Sequence, residues 1–160
     1  MTGLLDHLER QLASSRRLLQ IVIAQRDAIR AQDVEGVLAR LAEVQQEMSR
    51  RMQLERERDV LLDQASNALR RQPGDITLEM ILVLLPAGEA VQARALSSEL
   101  RGTLAETSRI HAQNRVLIRQ ELAFLDHLMR VLSGTPEGAY SAAGGSSPRP
   151  QVLNLIDTRV

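Results

Sequence analysis

The side chains able to carry chemistry are few, and their spacing argues against a reaction. The histidines His7, His111 and His127 lie far apart, with no pair one helical turn apart and no acid set between a pair. Neither a histidine metal site nor a metalloprotease helix is therefore specified, and the three read as surface or boundary residues. Glu55, Glu57, Asp59 and Asp63 fall along a single helical stretch, whereas paired acids doing general acid–base work face each other across a cleft. Ion pairing with Arg56 and Arg58 accounts for them better. Gly144-Gly145 follows no strand and opens no helix, so it is no phosphate loop. The chain has no cysteine, which removes disulfides and thiolate metal sites. No enzyme, metal or cofactor is expected.

What remains is recognition by apolar surface. A core-facing helix needs one apolar stripe at i, i+3, i+4, i+7, but the stretch from Leu117 to Leu132 carries two. Leu117, Phe124, Leu128 and Val131 form one; Ile118, Leu122, Leu125, Met129 and Leu132 form the other, turned by about 100°. One stripe can face the protein's own helices, which leaves the other for a partner.

Composition narrows the partner. The 20 basic and 20 acidic residues balance, so a nucleic-acid backbone has no electrostatic footprint to bind. With one Phe and one Tyr, Phe124 and Tyr140, stacking platforms for bases are missing as well. All basic residues are Arg. The start, Met-Thr-Gly-Leu-Leu-Asp-His, lacks the regions of a signal peptide, and the longest apolar run, Met80 to Leu85, is too short to span a bilayer. A cytoplasmic protein without membrane insertion is expected.

The elements that must position the apolar stretch are long helices. Leu5, Leu8, Leu12, Ser15, Leu19, Val22, Arg26 and Ile29 alternate by three and four, the seam of a coiled coil. Gln32 and Asp33 interrupt it, Asp33 as a candidate N-cap, and Val34, Val37, Leu41, Val44 and Met48 restart it, which predicts an antiparallel hairpin. Arg51, Glu55 and Arg58 then occupy seam positions before Leu62, Ala65 and Leu69, as expected of a solvated stretch past the end of the partner helix. Pro73-Gly74 stops the helix, Asp75 or Thr77 can cap a short segment from Leu78 to Leu85, and Pro86 suits the start of another helix. That last helix has a looser seam, with Thr103, Thr107 and Asn114 among Leu96, Leu100, Ile110 and Leu117. The predicted architecture is all-α: an antiparallel bundle of long coiled-coil-like helices over residues 1–134, followed by a flexible tail, 135–160, rich in Gly, Pro and Ser.

The tail ends in Val152, Leu153, Leu155, Ile156 and Val160. Burying each contributes about 1.5–3 kcal/mol, against about 1–2 kcal/mol of backbone ordering for each of the last ten residues. The terms nearly cancel, so this segment is expected to fold only against a surface.

Three local patterns, in this order, resemble the FlgN family of flagellar export chaperones. Ala28-Ile29-Arg30-Ala31-Gln32-Asp33 resembles that family's Ala-Ile followed by a Gly-Asp turn, with Gln32 in place of Gly. Leu54-Glu55-Arg56-Glu57-Arg58 with Leu61-Leu62 resembles its Leu-Glu-x-x-Arg segment. Asn114-Arg115-Val116-Leu117-Ile118, continued by Leu122, Phe124, Leu128 and Leu132 and then by a tail with Tyr140 and Gly144, resembles its last helix and tail, with Ala139 where Thr often precedes the tyrosine. The resemblance implies a cytosolic chaperone of flagellar type III secretion. It would bind the hook-filament junction proteins, hook-associated proteins one and three, and deliver them to the export gate. The client face it implies comprises Asn114, Leu117, Ile118, Leu122, Phe124, Leu125, Leu128, Met129 and Leu132, and Tyr140 would dock on the export-gate protein FlhA. Without the resemblance, the helices equally suit a coiled-coil scaffold or adaptor, including a homodimer, or a protein that sequesters a transcription factor. The second apolar stripe could also be covered by the Leu78 to Leu85 segment or by the end of the tail.

Overall fold

Helix boundaries follow the local punctuation. The computed structural model describes residues 3–133. In it α1 spans Leu4–Arg30, α2 Val34–Leu69, α3 Leu78–Leu82 and α4 Ala87–Ser133, with a 3-10 turn at Pro73–Asp75. No strand occurs among the described residues, so the fold is all-α, as the periodicity predicts. The expected tail lies outside them.

Asp33 is the N-cap of α2. Its Oδ1 accepts from the Gly36 backbone N–H at 2.9 Å, satisfying one of the donors that a helix start leaves free. A Cβ at position 36 would stand 2.3 Å from Asp33 Oδ2, so any larger residue there makes the capping carboxylate shift. The end of α1 closes with Asp33 N–H donating to Ala28 O and Gln32 N–H to Ile29 O, both at 3.0 Å, the paired bonds of a Schellman motif. Such an end needs one left-handed residue, and Gln32 supplies it at φ 56°. This is the position at which the family resemblance expects Gly. A left-handed side chain costs about 1–2 kcal/mol, whereas Gly adds only about 0.4–1 kcal/mol of unfolded-state entropy. Gln32→Gly is therefore expected to stabilise the chain by roughly 0.5–1 kcal/mol, read as a higher urea midpoint; a lower midpoint would contradict this account of the turn.

Thr77 caps α3, its Oγ1 accepting from Met80 N–H at 3.4 Å. The helix is shorter than the expected Leu78 to Leu85 because Leu84 and Leu85 donate to the third residue back, Ile81 and Leu82, and tighten the chain into a turn. Pro86 O then accepts from Ala90 N–H at 2.9 Å to open α4.

The chain divides into two units, Met1–Ala123 and Phe124–Val160. In the first, α1 and α2 form the expected antiparallel hairpin, with Ser14 against Glu47 and Arg10 against Glu57. α4 runs parallel to α1: Gln92 bonds Glu9, Arg16 pairs with Glu99, and Asn114 bonds Val22. The apolar core sits where α1 begins, in a cluster of Leu4, Leu8, Ala65, Ile81, Leu82 and Ala93 drawn from all four helices. Further along, the interior turns polar. The side chain that α2 buries most deeply among its charged residues is Glu47, 2 % exposed, while Val34 and Leu41 of the expected seam face solvent. The charged stretch of α2 is also not past its partner's end, because Arg51 reaches Ser15 and Glu57 reaches Arg10 across the hairpin. The physical reason is that α2 scatters apolar and charged side chains alike around its girth, and three-four spacing fixes a face only when the other faces are polar. The described part of the second unit is the last stretch of α4, residues 124–133.

Candidate functional site

The hairpin buries polar groups that could carry chemistry, Glu47 and His7 among them. Glu47 accepts from Ser14 Oγ at 2.6 Å and from Arg17 Nε and Nη2, each at 3.2 Å, with Arg50 Nη1 at 3.4 Å. Burial opposes its ionisation, but the Arg17 and Ser14 hydrogen bonds and the Arg17 and Arg50 charges outweigh it and hold the carboxyl below its ordinary 4.5. His7 is buried rather than at the surface as expected. Its Nε2 accepts from Gln11 Nε2 at 3.1 Å, which places its proton on Nδ1, 3.7 Å from Glu57 Oε2. Burial pushes it below its ordinary 6.5, more than the nearby Glu57 carboxylate raises it. No nucleophile stands beside this pair, and no group of three metal-ligating side chains occurs among the described residues. These groups join α1 to α2.

Their titration has a fixed sign. Both shifts are downward, so the unfolded chain takes up protons first as the pH falls. The stabilisation is complete above 6.5 for His7 and above 4.5 for Glu47, and is lost as pH falls from those ordinary values through the lower folded-state ones. The urea midpoint is expected to be level near neutrality, to drop below the first value and to drop again below the second. His7→Gln should remove the upper step and leave the lower, whereas an unchanged pH profile would assign that step elsewhere.

The expected client-face residues divide along α4. Asn114 does not join the face: it is 1 % exposed, and its Nδ2 donates to Val22 O at 2.8 Å and to Gln25 Oε1 at 3.1 Å. That is a correction to the sequence reading, and its cause is that α1 still faces α4 at this level. Leu117 and Ile118 are half-buried. Leu122, Phe124, Leu125, Leu128, Met129, Val131 and Leu132 are all exposed, from 38 % at Leu128 to 81 % at Leu132. Both stripes are thus open beyond Ile118, where one was expected to be covered. The register explains where the change begins. Asn114 lies level with Val22 and Gln25, so at about 1.5 Å per residue the end of α1 at Arg30 is level with roughly residues 119–122 of α4.

The exposed run extends about 15 Å along the helix axis. An ion pair one turn apart, Arg130 with Asp126, supports the helix on its polar side. Ile81 and Leu82 of α3 are buried with Leu4 and Ala93, toward the start of α4. A further exposed apolar row, Val34, Leu38, Leu41 and Met52, lies on α2; Val34 and Leu41 were expected in the hairpin seam, and the spacing of four, three and eleven places all four on one face. Tyr140 lies outside the described residues. No described helix is long and apolar enough to cross a membrane.

The open apolar face lies on the helix that carries the third of the patterns quoted above, and the hairpin carries the other two. The model of the FlgN protein family matches residues 1–148. The chain belongs to the FlgN family. Membership makes it a flagellar export chaperone in general character, and the matched span takes in the hairpin turn, the Leu54 to Leu62 segment, all of α4 and Tyr140. It stops short of Val152 to Val160. No curated protein and no solved structure matches the chain.

Proposed function

We propose that this FlgN family chaperone acts in the cytoplasm on hook-associated proteins one and three, the hook-filament junction proteins. It holds their terminal segments on α4 and delivers them to the export-gate protein FlhA. The observation that supports this reading is the exposed apolar run from Leu122 to Leu132. An exposed patch of this kind marks an interaction surface, and a helix face with residues at i, i+3, i+4 and i+7 fits an amphipathic helix of the client. Leu122, Leu125, Met129 and Leu132 supply the contact row, with Phe124 and Leu128 beside it and Leu117 and Ile118 at its inner end. A face without polar groups sets little sequence code, which suits a holder of more than one client. The test is calorimetric titration of the full chain with terminal segments of the junction proteins. Binding to these and not to their folded central domains is expected; binding only to folded partners, or to neither, favours the scaffold reading.

Tyr140 carries the second half of the proposal. An aromatic ring brings much contact area for few frozen torsions, and nothing in its Gly- and Ser-rich surroundings calls for one. Client holding and gate docking then use separate segments. Tyr140→Ala should leave client affinity within twofold of the parent while weakening the complex with the cytoplasmic domain of FlhA by about tenfold or more, as hot-spot aromatics do. Equal gate affinity for variant and parent, measured with client bound, would sink the assignment.

A further inference from the structure

We propose that the segment Val152–Val160 of this chain is the resident occupant of the α4 face from Phe124 to Leu132, covering it until a client displaces it. The inference rests on the client-face reading above for its functional meaning, but not for its test. Three observations carry it. The face is fully open in the described residues, with its largest side chains between 38 % and 81 % exposed. Written as a helix, Val152-Leu-Asn-Leu-Ile-Asp-Thr-Arg-Val160 places Val152, Leu153, Ile156 and Val160 within about 100° of arc, with Leu155 and Arg159 along one edge, Asp157 along the other, and Asn154 and Thr158 opposite. This is the pattern of the helix-in-groove ligand that the face fits. The connecting chain has a matching reach. Residues 134–151 number 18, and a Gly- and Ser-rich chain of that length has a root-mean-square span of about 23 Å. The centre of the face lies only about 7–8 Å back along α4 from Ser133. Such a linker puts the segment at an effective concentration on the order of millimolar.

The near-balance of burial against ordering makes the cover weak and displaceable rather than part of the core. A cover occupied most of the time lowers apparent client affinity by the fraction of molecules left open. Releasing it should tighten client binding by about three- to tenfold. The family match ends at residue 148, so the segment is a feature of this chain and not of the matched pattern.

The chain's lack of cysteine permits a clean test on the free protein. Asn154→Cys, carrying a nitroxide on the polar side of the segment, is combined with methyl-labelled Leu, Val and Met. Broadening of the Leu125, Leu128, Met129 and Leu132 methyl signals that persists on dilution, and that disappears when Leu155→Asp and Ile156→Asp are added, is the expected result. Absence of broadening overturns the proposal. So does broadening that fades on dilution, which makes the occupant a second copy, or broadening confined to Val34, Leu38 and Leu41 on α2. Because no client is present, this outcome is independent of whether the junction proteins bind. In a separate titration with a junction-protein terminal segment, the Leu155→Asp/Ile156→Asp chain should bind about three- to tenfold tighter than the parent; equal affinity would show that the cover does not compete.

Discussion

Replacing Leu125 with Glu and Met129 with Arg is expected to abolish binding of junction-protein terminal segments while leaving the fold intact. The two residues are 54 % and 66 % exposed, and substitutions at such positions change stability by about 0.5 kcal/mol or less. The pair also stands at i,i+4 with the acid first, so it adds a small helix-stabilising ion pair instead of removing one. Loss of binding could not then be laid to a melted helix. At an interface, by contrast, each buried anchor contributes about 2 kcal/mol or more, and a charge pressed against an apolar client helix lacks its hydration. Together the substitutions should weaken the complex by more than a hundredfold. Circular dichroism and a urea titration of the same sample supply the control. A variant that unfolds at room temperature would show that the face is core; one that stays folded and binds normally would place the client elsewhere.

The largest expected effect on stability lies at Glu47. Breaking a fully buried ion pair costs about 3–5 kcal/mol when the surviving charge stays buried. Arg17 is half-exposed and regains water once its partner is gone, while Ser14, 1 % exposed, is left with a buried hydroxyl. The expected loss for Glu47→Ala is therefore smaller, about 1–3 kcal/mol, with Glu47→Gln between it and the parent. Glu47→Leu combined with Ser14→Ala removes both buried polar groups and fills the space, and should recover most of the loss. The coupling in that double-mutant cycle separates satisfaction of the buried polar groups from simple packing. A Glu47→Ala chain as stable as the parent would mean that the buried carboxylate contributes no net free energy.

Much of the fold was legible because its punctuation is local. Asp33, Thr77, Pro73-Gly74 and Pro86 act within one turn of themselves, and no tertiary contact was needed to read them. The place of the turn at Gln32 was legible from the broken seam, but its left-handed backbone was not, since nothing in a glutamine announces one. Which face of each long helix turns inward was not legible. Glu47, His7 and Asn114 are types that ordinarily sit outside, and they lie inside because Arg17 and Ser14 for Glu47, Glu57 for His7 and the Val22 carbonyl for Asn114 stand on other helices. Spacing along one helix contains no information about such partners. The same limit misplaced Asn114. It shares a helix with Ile118 and Leu122, yet a helix face is open only beyond the level at which its neighbour ends, and that level is set by the hairpin turn. The doubled apolar stripe after Leu117, however, was visible in the sequence alone, and the exposed run on α4 falls on it.

The central claim is that α4, between Leu122 and Leu132, is where the client is held. Its most direct measurement is a methyl-resolved titration of the full chain with a terminal segment of hook-associated protein one. The account predicts saturable shifts of the Leu122, Leu125, Leu128, Met129 and Leu132 methyl signals, with those of Leu8, Leu12 and Ile110 in the bundle interior unmoved. Saturable shifts confined to Val34, Leu38, Leu41 and Met52 on α2, with the α4 signals unchanged, would contradict it.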